Sequence, residues 1–374
     1  GQGMRNSSLT YGTVAAALAR LVQSLFEDHE ALIQLYTDDP LTAVMGTAAQ
    51  RDRLMAIVLP GWVLLGVKVA FHKAQRGFDT SWIGARFILE RDSLVVTVNQ
   101  DMIDDILGLI QSTLQHNFIL LSVLRTLTGK CNHVAGLIYT WRPFLSPLWA
   151  AITKATCRPN RIAHTIWVRQ IRTSLKWIEA FITCKAGAMS RRYCLHHHFN
   201  EAMPVRIVYD ASPWGLGALL YKNGQLEEVM ESPITPMDEQ RFHHTVGSPN
   251  GQQVWEVLSM LVALRHWLPH WQHVRCQLCV CGDSISAMTM LKDLKAAVSS
   301  HGGNIIAREL ALDLGEATYR PDVIMHVPGI ANVLADFLSR RREPGKERLP
   351  WPAPLRDIRV VTPSPRVDSY FLSL

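Results

Sequence analysis

The sequence predicts a mixed α/β protein whose main region is a mixed sheet with flanking helices. Hairpin-like and strand–helix units alternate in that region, which is typical of a sheet containing both antiparallel and parallel pairs. β-like runs lie at 205–210, 215–222 and 274–282, and helix-like segments at 253–268, 284–294 and 302–314. The hydrophobic fraction of 48% and the charged fraction of 19% supply apolar cores and argue against bulk disorder.

Two regions precede this sheet. Residues 1–98 combine a helix-like segment at 14–26, a helix at 51–65 and an extended segment at 87–98 with two short β-like runs that meet at Asp38 and Asp39. Residues 99–185 are predicted to be mostly helical, with breaks at Pro143 and Pro147. A polar linker at 186–203, which contains His196-His197-His198, then leads into the sheet region at 204–342. The Pro-rich tail at 343–374 is expected to be loosely ordered.

The charge balance favours a polyanionic partner, because the net charge is +6 and the pI is near 9.0. One basic stretch contains no acid until Glu179 and is interleaved with His164, Trp167 and Trp177. Its cations are Lys154, Arg158, Arg161, Arg169, Arg172 and Lys176. A surface that follows a phosphate backbone explains such a run, and a solvated helix face explains it equally well.

Cysteine usage and hydropathy indicate a reducing, intracellular setting, either cytoplasmic or nuclear. The seven cysteines are irregularly spaced, which argues against a disulfide framework. Cys276, Cys279 and Cys281 lie in a β-like run, which is favoured over a zinc site. No signal peptide opens the chain, and no apolar run reaches the roughly 18–20 residues of a membrane span.

Four acids have distinctive surroundings. Asp210 ends an apolar run, Asp283 follows one, and Asp336 lies in an apolar helix-like segment. Singly, these three are also typical of a turn, a helix N-cap and a helix surface. Glu256 differs, since its helical face also carries apolar side chains, and an unpartnered buried carboxylate is costly unless a metal or another cation binds it.

Several acids converging from different elements suit phosphodiester hydrolysis. Two divalent ions about 4 Å apart can activate a water and stabilise the leaving oxygen. Hard cations such as Mg²⁺ select carboxylate oxygens. The four acids together therefore predict a two-metal nuclease.

The order and contexts of these acids across residues 203–342 resemble the ribonuclease H domain attached to retroelement reverse transcriptases. The stretch from His326 to Arg340 is especially similar to retrotransposon ribonuclease H. The resemblance implies acids on a central strand, on the first helix, after a later strand and near the start of the last helix. It implies that Asp210, Glu256, Asp283 and Asp336 bind two Mg²⁺ ions, with Mn²⁺ as an alternative, and cut the RNA strand of an RNA–DNA hybrid.

Two details accompany that resemblance. Asn332 is expected to order the turn into the last helix, where an ordinary cap is the alternative. Many relatives carry a mobile histidine on a longer loop before the last acid. Here the connection from Pro328 to Asn332 is short, and His326 is expected to end a strand instead.

Residues 36–39, Tyr-Thr-Asp-Asp, resemble the metal-binding motif of the reverse-transcriptase palm, which implies catalytic and metal-binding roles for Asp38 and Asp39. His72-Lys73 and Trp82-Ile83-Gly84 resemble the lysine motif and the primer grip that follow it, so Lys73, Trp82 and Gly84 are expected to contact primer–template nucleic acid. Segments 127–135 and 141–145 look like the helical thumb or connection region.

The palm resemblance is incomplete. The family's polymerase needs a further upstream Asp and the fingers, and we expect this chain to begin after both. Pro40 also departs from the hydrophobic residue that normally follows the acid pair. Polymerisation by this chain alone is therefore not expected.

The leading interpretation is the carboxy-terminal part of a retroelement reverse transcriptase, with a partial palm, a helical thumb or connection, and a ribonuclease H domain. Five arginines are then expected to hold the hybrid backbone: Arg158, Arg161, Arg169, Arg172 and Arg340. A non-catalytic nucleic-acid-binding scaffold is one alternative, although a scaffold is expected to lose the four acids. A decayed retroelement remnant is another. The oligomeric state stays open.

Overall fold

The computed structural model describes residues 7–27, 29–157, 164–194, 203–271, 276–296, 300–316 and 321–372. The chain forms two compact units, Gly1–Asn99 and Gln100–Leu374. The finer division into thumb, linker, sheet region and tail stays a prediction. Among the helices of the described segments, none combines the length and the apolar composition that a bilayer crossing requires.

The first unit is built around two helices and a hairpin. Its elements are α1 (Ser7–Gln23), β1 (Ala31–Tyr36), β2 (Asp39–Val44), α2 (Ala48–Leu64), β3 (Asp79–Trp82), β4 (Ala85–Leu89) and β5 (Ser93–Val98). The core of α1, α2 and the hairpin contains Val22, Ile33, Val58 and Trp62. Strands β3, β4 and β5 pair in antiparallel order. Strands β1 and β2 pair with each other, so the two predicted β-like runs that meet at Asp38 and Asp39 are confirmed as a hairpin.

The second unit begins with a helical region. Its elements are α3 (Gln100–Leu114), β6 (Phe118–Leu120), α4 (Leu121–Leu137), α5 (Arg142–Cys157), β7 (Thr165–Trp167), α6 (Arg172–Ile182) and β8 (Ser190–Cys194). The mostly helical prediction is confirmed, but the predicted break at Pro147 is wrong, because α5 continues through it. Pro147 lies near the start of α5 and removes one backbone hydrogen bond there. Burial of Phe144, Leu148 and Ile152 stabilises the helix against that loss.

A six-stranded sheet follows. Its strands are β9 (Met203–Ala211), β10 (Gly215–Lys222), β11 (Gln225–Pro233), β12 (Cys276–Gly282), β13 (Val323–His326) and β14 (Arg359–Val361). The helices are α7 (Pro236–Phe242), α8 (Gln252–Trp267), α9 (Ile285–Asp293), α10 (His301–Glu316) and α11 (Val333–Ser339). The strand order is β13-β12-β9-β10-β11-β14, and β10 runs antiparallel to both of its neighbours while the remaining pairs are parallel. The predicted architecture, a mixed sheet with flanking helices, is confirmed, and His326 ends β13 as expected.

Helix α11 packs very closely on β10, and glycine makes this possible. A Cβ atom added at Gly217 would lie 2.5 Å from the carbonyl oxygen of Ala335 and 2.6 Å from the backbone nitrogen of Ser339. Any larger residue at 217 would push α11 away from the sheet. The close approach brings the end of α11 next to β9, the strand that carries Asp210.

The segment after Arg342 is packed onto the sheet region, so the expectation of a loosely ordered tail is wrong. Strand β14 pairs in parallel with β11, and Leu355 and Phe371 are buried. Arg366 is only 5% exposed and forms an ion pair with fully buried Asp238. Its guanidinium also donates to Ser232 Oγ at 2.8 Å and to the Pro233 carbonyl oxygen at 2.6 Å. The Pro-rich composition predicts loose order, because composition alone does not show that one arginine of the segment is buried and paired with an acid.

Replacing Arg366 by Ala should strongly destabilise the second unit, because the Asp238 carboxylate would stay buried without its cation. We expect a loss of about 3–5 kcal/mol in the free energy of unfolding, measured by urea denaturation. Arg348→Ala, at an exposed position of the same segment, is the matched control and should leave stability nearly unchanged. Equal unfolding midpoints for the two variants would contradict the anchoring role of Arg366.

Candidate metal centre

Three of the four predicted acids converge at one end of the sheet. One carboxylate oxygen from each of Asp210, Glu256 and Asp283 lies within 4.8 Å of the other two. Asp210 is the penultimate residue of β9, and Asp283 directly follows β12. Because β9 and β12 are parallel neighbours, their carboxyl ends meet at the same edge of the sheet. Glu256 reaches this edge from the second turn of α8. We call these three residues the acidic triad.

Glu256 is the most constrained member of the triad. Its side chain is buried because α8 is covered along nearly its whole length, and the residue is only 6% exposed. Oε1 accepts a hydrogen bond from Gln252 Nε2 at 2.6 Å, whereas Oε2 is buried without a partner. Burial raises the pKa of Glu256 well above its usual value, and the charges of Asp210 and Asp283 add to this effect. A cation would stabilise a buried carboxylate that has one unpartnered oxygen and lies within 4.8 Å of two other acids.

The carboxylate of Asp210 is held from α11. Oδ2 accepts from Ser339 Oγ at 2.6 Å, and Oδ1 accepts from Asn332 Nδ2 at 3.3 Å. Burial raises the pKa of Asp210 to about 7; the Ser339 hydrogen bond lowers it, and the charges of Asp283 and Asp336 raise it. The two donors therefore fix the orientation of the carboxylate and partly offset the cost of burying its charge.

Some residues of the site were not predicted to act there. Ser339 lies three residues after Asp336 and Gln252 four residues before Glu256, and this helical spacing was the signal that could have indicated them.

Asn332 precedes the first residue of α11, but its side chain makes no capping hydrogen bond. Its amide instead donates to the Tyr209 carbonyl oxygen at 3.1 Å and to Asp210. Asp283 is not the N-cap of α9, because Ser284 caps that helix.

Asp336, the fourth acid, lies outside the triad. Its Oδ1 accepts from Arg340 Nε at 2.5 Å, and the two side chains are 39% and 42% exposed. Ser339 Oγ, which donates to Asp210, also lies 3.0 Å from the carbonyl oxygen of Asp336, so Asp336 lies close to the triad although its carboxylate is paired with an arginine. The structure thus places all four acids in one region and brings three of them together.

In the first unit, Asp38 and Asp39 lie at the tip of the β1–β2 hairpin. Tyr36 pairs with Asp39, so that Thr37 and Asp38 form a two-residue turn in which Thr37 has a φ of 58°. Both acids are exposed, and Pro40 pairs with Leu35 inside the hairpin. Within the described residues, no further His, Cys, Asp or Glu joins the two acids in a group of three potential ligands.

The predicted primer-grip residues belong to the same unit. Trp82 and Gly84 lie at the β3–β4 turn, and the Trp82 indole donates to the carbonyl oxygen of Asp39 at 2.9 Å. Lys73 is exposed and ends a single 3₁₀ turn. The hairpin tip and the β3–β4 turn are thereby linked by a direct hydrogen bond. Whether these residues contact nucleic acid stays a prediction.

Part of the predicted basic surface is seen on the helical region. Arg169 is exposed, and its guanidinium lies 5.5 Å from the centre of the Trp167 ring. Arg172 is half-buried and opens α6. Arg158 and Arg161 lie outside the described residues, as does the stretch His196 to His198. Cys276, Cys279 and Cys281 all lie on β12.

No family model and no curated protein matches the chain. Similar solved structures include the foamy viral protease–reverse transcriptase in complex with double-stranded DNA, with 15% identity over 87% of this chain and a TM-score of 0.39. The same viral protein in complex with an RNA/DNA hybrid shows 15% identity over 89% of this chain and a TM-score of 0.39. The chain spans 50% and 40% of the length of those two chains.

A second kind of similar structure is ribonuclease H1 from the halophilic archaeon Halobacterium salinarum NRC-1. It shows 18% identity over 37% of this chain and 96% of its own length, with a TM-score of 0.27. These scores are low. The function of the chain is therefore inferred from the acidic triad and its surroundings.

Replacing Asp210 by Asn should change how stability depends on pH when divalent ions are removed by a chelator. The folded chain binds the Asp210 proton more tightly than the unfolded chain, since its pKa rises from 3.8 to about 7. This carboxyl therefore lowers stability as pH rises between those values, by at most about 1.4 kcal/mol per pH unit.

Asp210→Asn should remove this contribution and make the chelated protein more stable than the wild type at pH 8. Urea denaturation between pH 4 and pH 8 measures the difference, and Asp357→Asn at an exposed position is the control. Identical pH profiles for Asp210→Asn and the wild type would show that folding does not perturb this carboxyl.

Proposed function

We propose that the second unit is a metal-dependent ribonuclease H that hydrolyses the RNA strand of RNA–DNA hybrids as an endonuclease. The observation that carries this proposal is the acidic triad together with the unpartnered, buried Oε2 of Glu256. A buried carboxylate oxygen that has neither a donor nor a cation is unfavourable, and a bound divalent ion would compensate for it. In this proposal the chain is the carboxy-terminal part of a retroelement reverse transcriptase.

The donor set fits hard divalent cations. All three members of the triad offer carboxylate oxygens, which suit Mg²⁺ and Mn²⁺ better than softer metals. Asp210, Glu256 and Asp283 would hold one ion, and a second ion would require Asp336 as well. When bound, such ions polarise the scissile phosphate and ease deprotonation of the attacking water.

The protein contributes orientation and space. Ser339 and Asn332 hold the two oxygens of Asp210, and Gln252 holds Oε1 of Glu256. Gly329 keeps the approach to Asp283 open, because a Cβ atom there would lie 3.2 Å from Asp283 Oδ2. Fixed carboxylates reduce the rearrangement that metal binding and catalysis would otherwise require.

Substrate binding in this proposal is sequence-independent. Arg169, Arg172 and Arg340, together with Arg158 and Arg161, would contact the phosphate backbone of the hybrid. Arg169 beside the exposed Trp167 ring offers both a charge and a stacking surface. Affinity for hybrid should accordingly fall steeply with salt concentration.

The first unit would be a partial palm. Asp38 and Asp39 would be its metal-binding acids, and Lys73, Trp82 and Gly84 would contact the primer–template. No third ligand joins Asp38 and Asp39 among the described residues. We therefore expect the chain alone not to extend a primer.

The nuclease proposal predicts cleavage of a labelled RNA–DNA hybrid by the purified chain with Mg²⁺. Asp283→Asn should lower the rate by about 100-fold or more, because even the outer partners of metal ligands typically contribute 10- to 100-fold. Asp357→Asn, an isosteric change of an exposed acid outside the site, should cut at the wild-type rate. Titration of Mn²⁺ by calorimetry gives a second readout that does not depend on turnover.

Two outcomes would contradict the proposal. A folded protein that binds hybrid and never cuts it, with either ion, would favour the non-catalytic scaffold. A chain whose circular dichroism and unfolding show no cooperative fold would favour a decayed retroelement remnant.

A further inference from the structure

Arg340 is a cation built into the edge of the candidate metal centre. It lies one helical turn after Asp336, and its Nε donates to Asp336 Oδ1. It directly follows Ser339, whose hydroxyl donates to Asp210 Oδ2 at 2.6 Å. Arg340 is therefore bonded to the fourth acid and adjacent in sequence to a residue that holds the triad.

Arg340 differs from the two arginines that follow it. Arg341 and Arg342 both pair with Glu231 on β11, at 2.9 Å and 3.6 Å. They hold the end of α11 against the sheet. Of these three neighbouring arginines, only Arg340 pairs with an acid of the candidate site.

The contact of Arg340 with Asp336 is one that a divalent ion can displace. Both side chains are substantially exposed, and an exposed ion pair is typically weak. A second acid lies close by, since Glu343 Oε2 is 3.8 Å from Arg340 and also pairs with Lys346. Arg340 can therefore leave Asp336 without leaving an acidic environment.

We propose that Arg340 occupies Asp336 in place of the second divalent ion and is exchanged for that ion when nucleic acid binds. This inference rests on the proposed nuclease function. The acidic triad takes the first ion unaided, because its three carboxylates already face one another. The second ion needs Asp336, so Arg340 must move. The released guanidinium is then free to bind a phosphate of the hybrid, which couples loading of the second ion to the presence of substrate.

The test compares Arg340→Gln with Arg342→Gln, which makes the same change in charge two residues away. Mn²⁺ is titrated by calorimetry into each protein without nucleic acid. Arg340→Gln should bind the second ion about two- to five-fold more tightly than the wild type, the range that loss of a competing exposed ion pair provides. Arg342→Gln should bind both ions like the wild type.

Two further measurements separate this exchange from a general change in charge or fold. The gain in Mn²⁺ affinity should vanish in the double variant Arg340→Gln with Asp336→Asn, because the site that Arg340 releases is then lost. The KM for hybrid should rise in Arg340→Gln, because the substitution removes a phosphate contact, and it should stay at the wild-type value in Arg342→Gln. Thermal unfolding of each variant shows whether the fold is preserved.

The outcomes distinguish the exchange from the nuclease proposal itself. If Arg340→Gln binds the second ion no more tightly than the wild type, the exchange is overturned and the nuclease assignment stands. A gain that persists in the double variant also overturns the exchange, since the ion would then bind elsewhere. If the wild type and every variant bind no Mn²⁺, both proposals fail.

Discussion

The burial of two neighbouring carboxylates, Asp210 and Glu256, is the constraint to which the rest of the site responds. Placing two negative charges side by side away from water is unfavourable unless donors or cations compensate. Ser339 and Asn332 supply donors to Asp210, and they can do so only because Gly217 lets α11 lie directly on β10. The close helix–sheet packing and the geometry of the acids therefore depend on each other.

The second unit also contains buried charged residues that stabilise the fold. Arg366 satisfies Asp238 with several hydrogen bonds, and Arg265 binds both Glu309 and Asp313. In these clusters each buried acid has a cation in direct contact. The acidic triad has donors on some oxygens and none on Glu256 Oε2. Under the proposed function, this contrast distinguishes acids that anchor the fold from acids that would bind a metal ion.

Local sequence patterns predicted the features of the site that are determined by residues adjacent in sequence. Asp210 and Asp283 follow apolar strand-like runs, and Glu256 shares a face with apolar residues, so their placement at strand ends and on a buried helix followed directly. Contacts between distant residues could not be predicted in this way. Ser339 lies 129 residues from Asp210, and Arg366 lies 128 residues from Asp238. No spacing rule links such pairs, which is why the packed carboxy-terminal segment was missed. For Ser339 the one local signal was its helical spacing from Asp336, which does not show that its hydroxyl reaches Asp210.

Strand β14 has a consequence for how separate copies of the chain behave. It covers backbone groups of β11 that would otherwise form the outer edge of the sheet. An uncovered edge of that kind is a template for pairing with another chain and for aggregation. The carboxy-terminal segment, held by Arg366, covers Glu228, Val229 and Met230 of β11, and its removal would expose their backbone groups. A shortened chain ending soon after α11 would lose solubility before it lost the acids of the site.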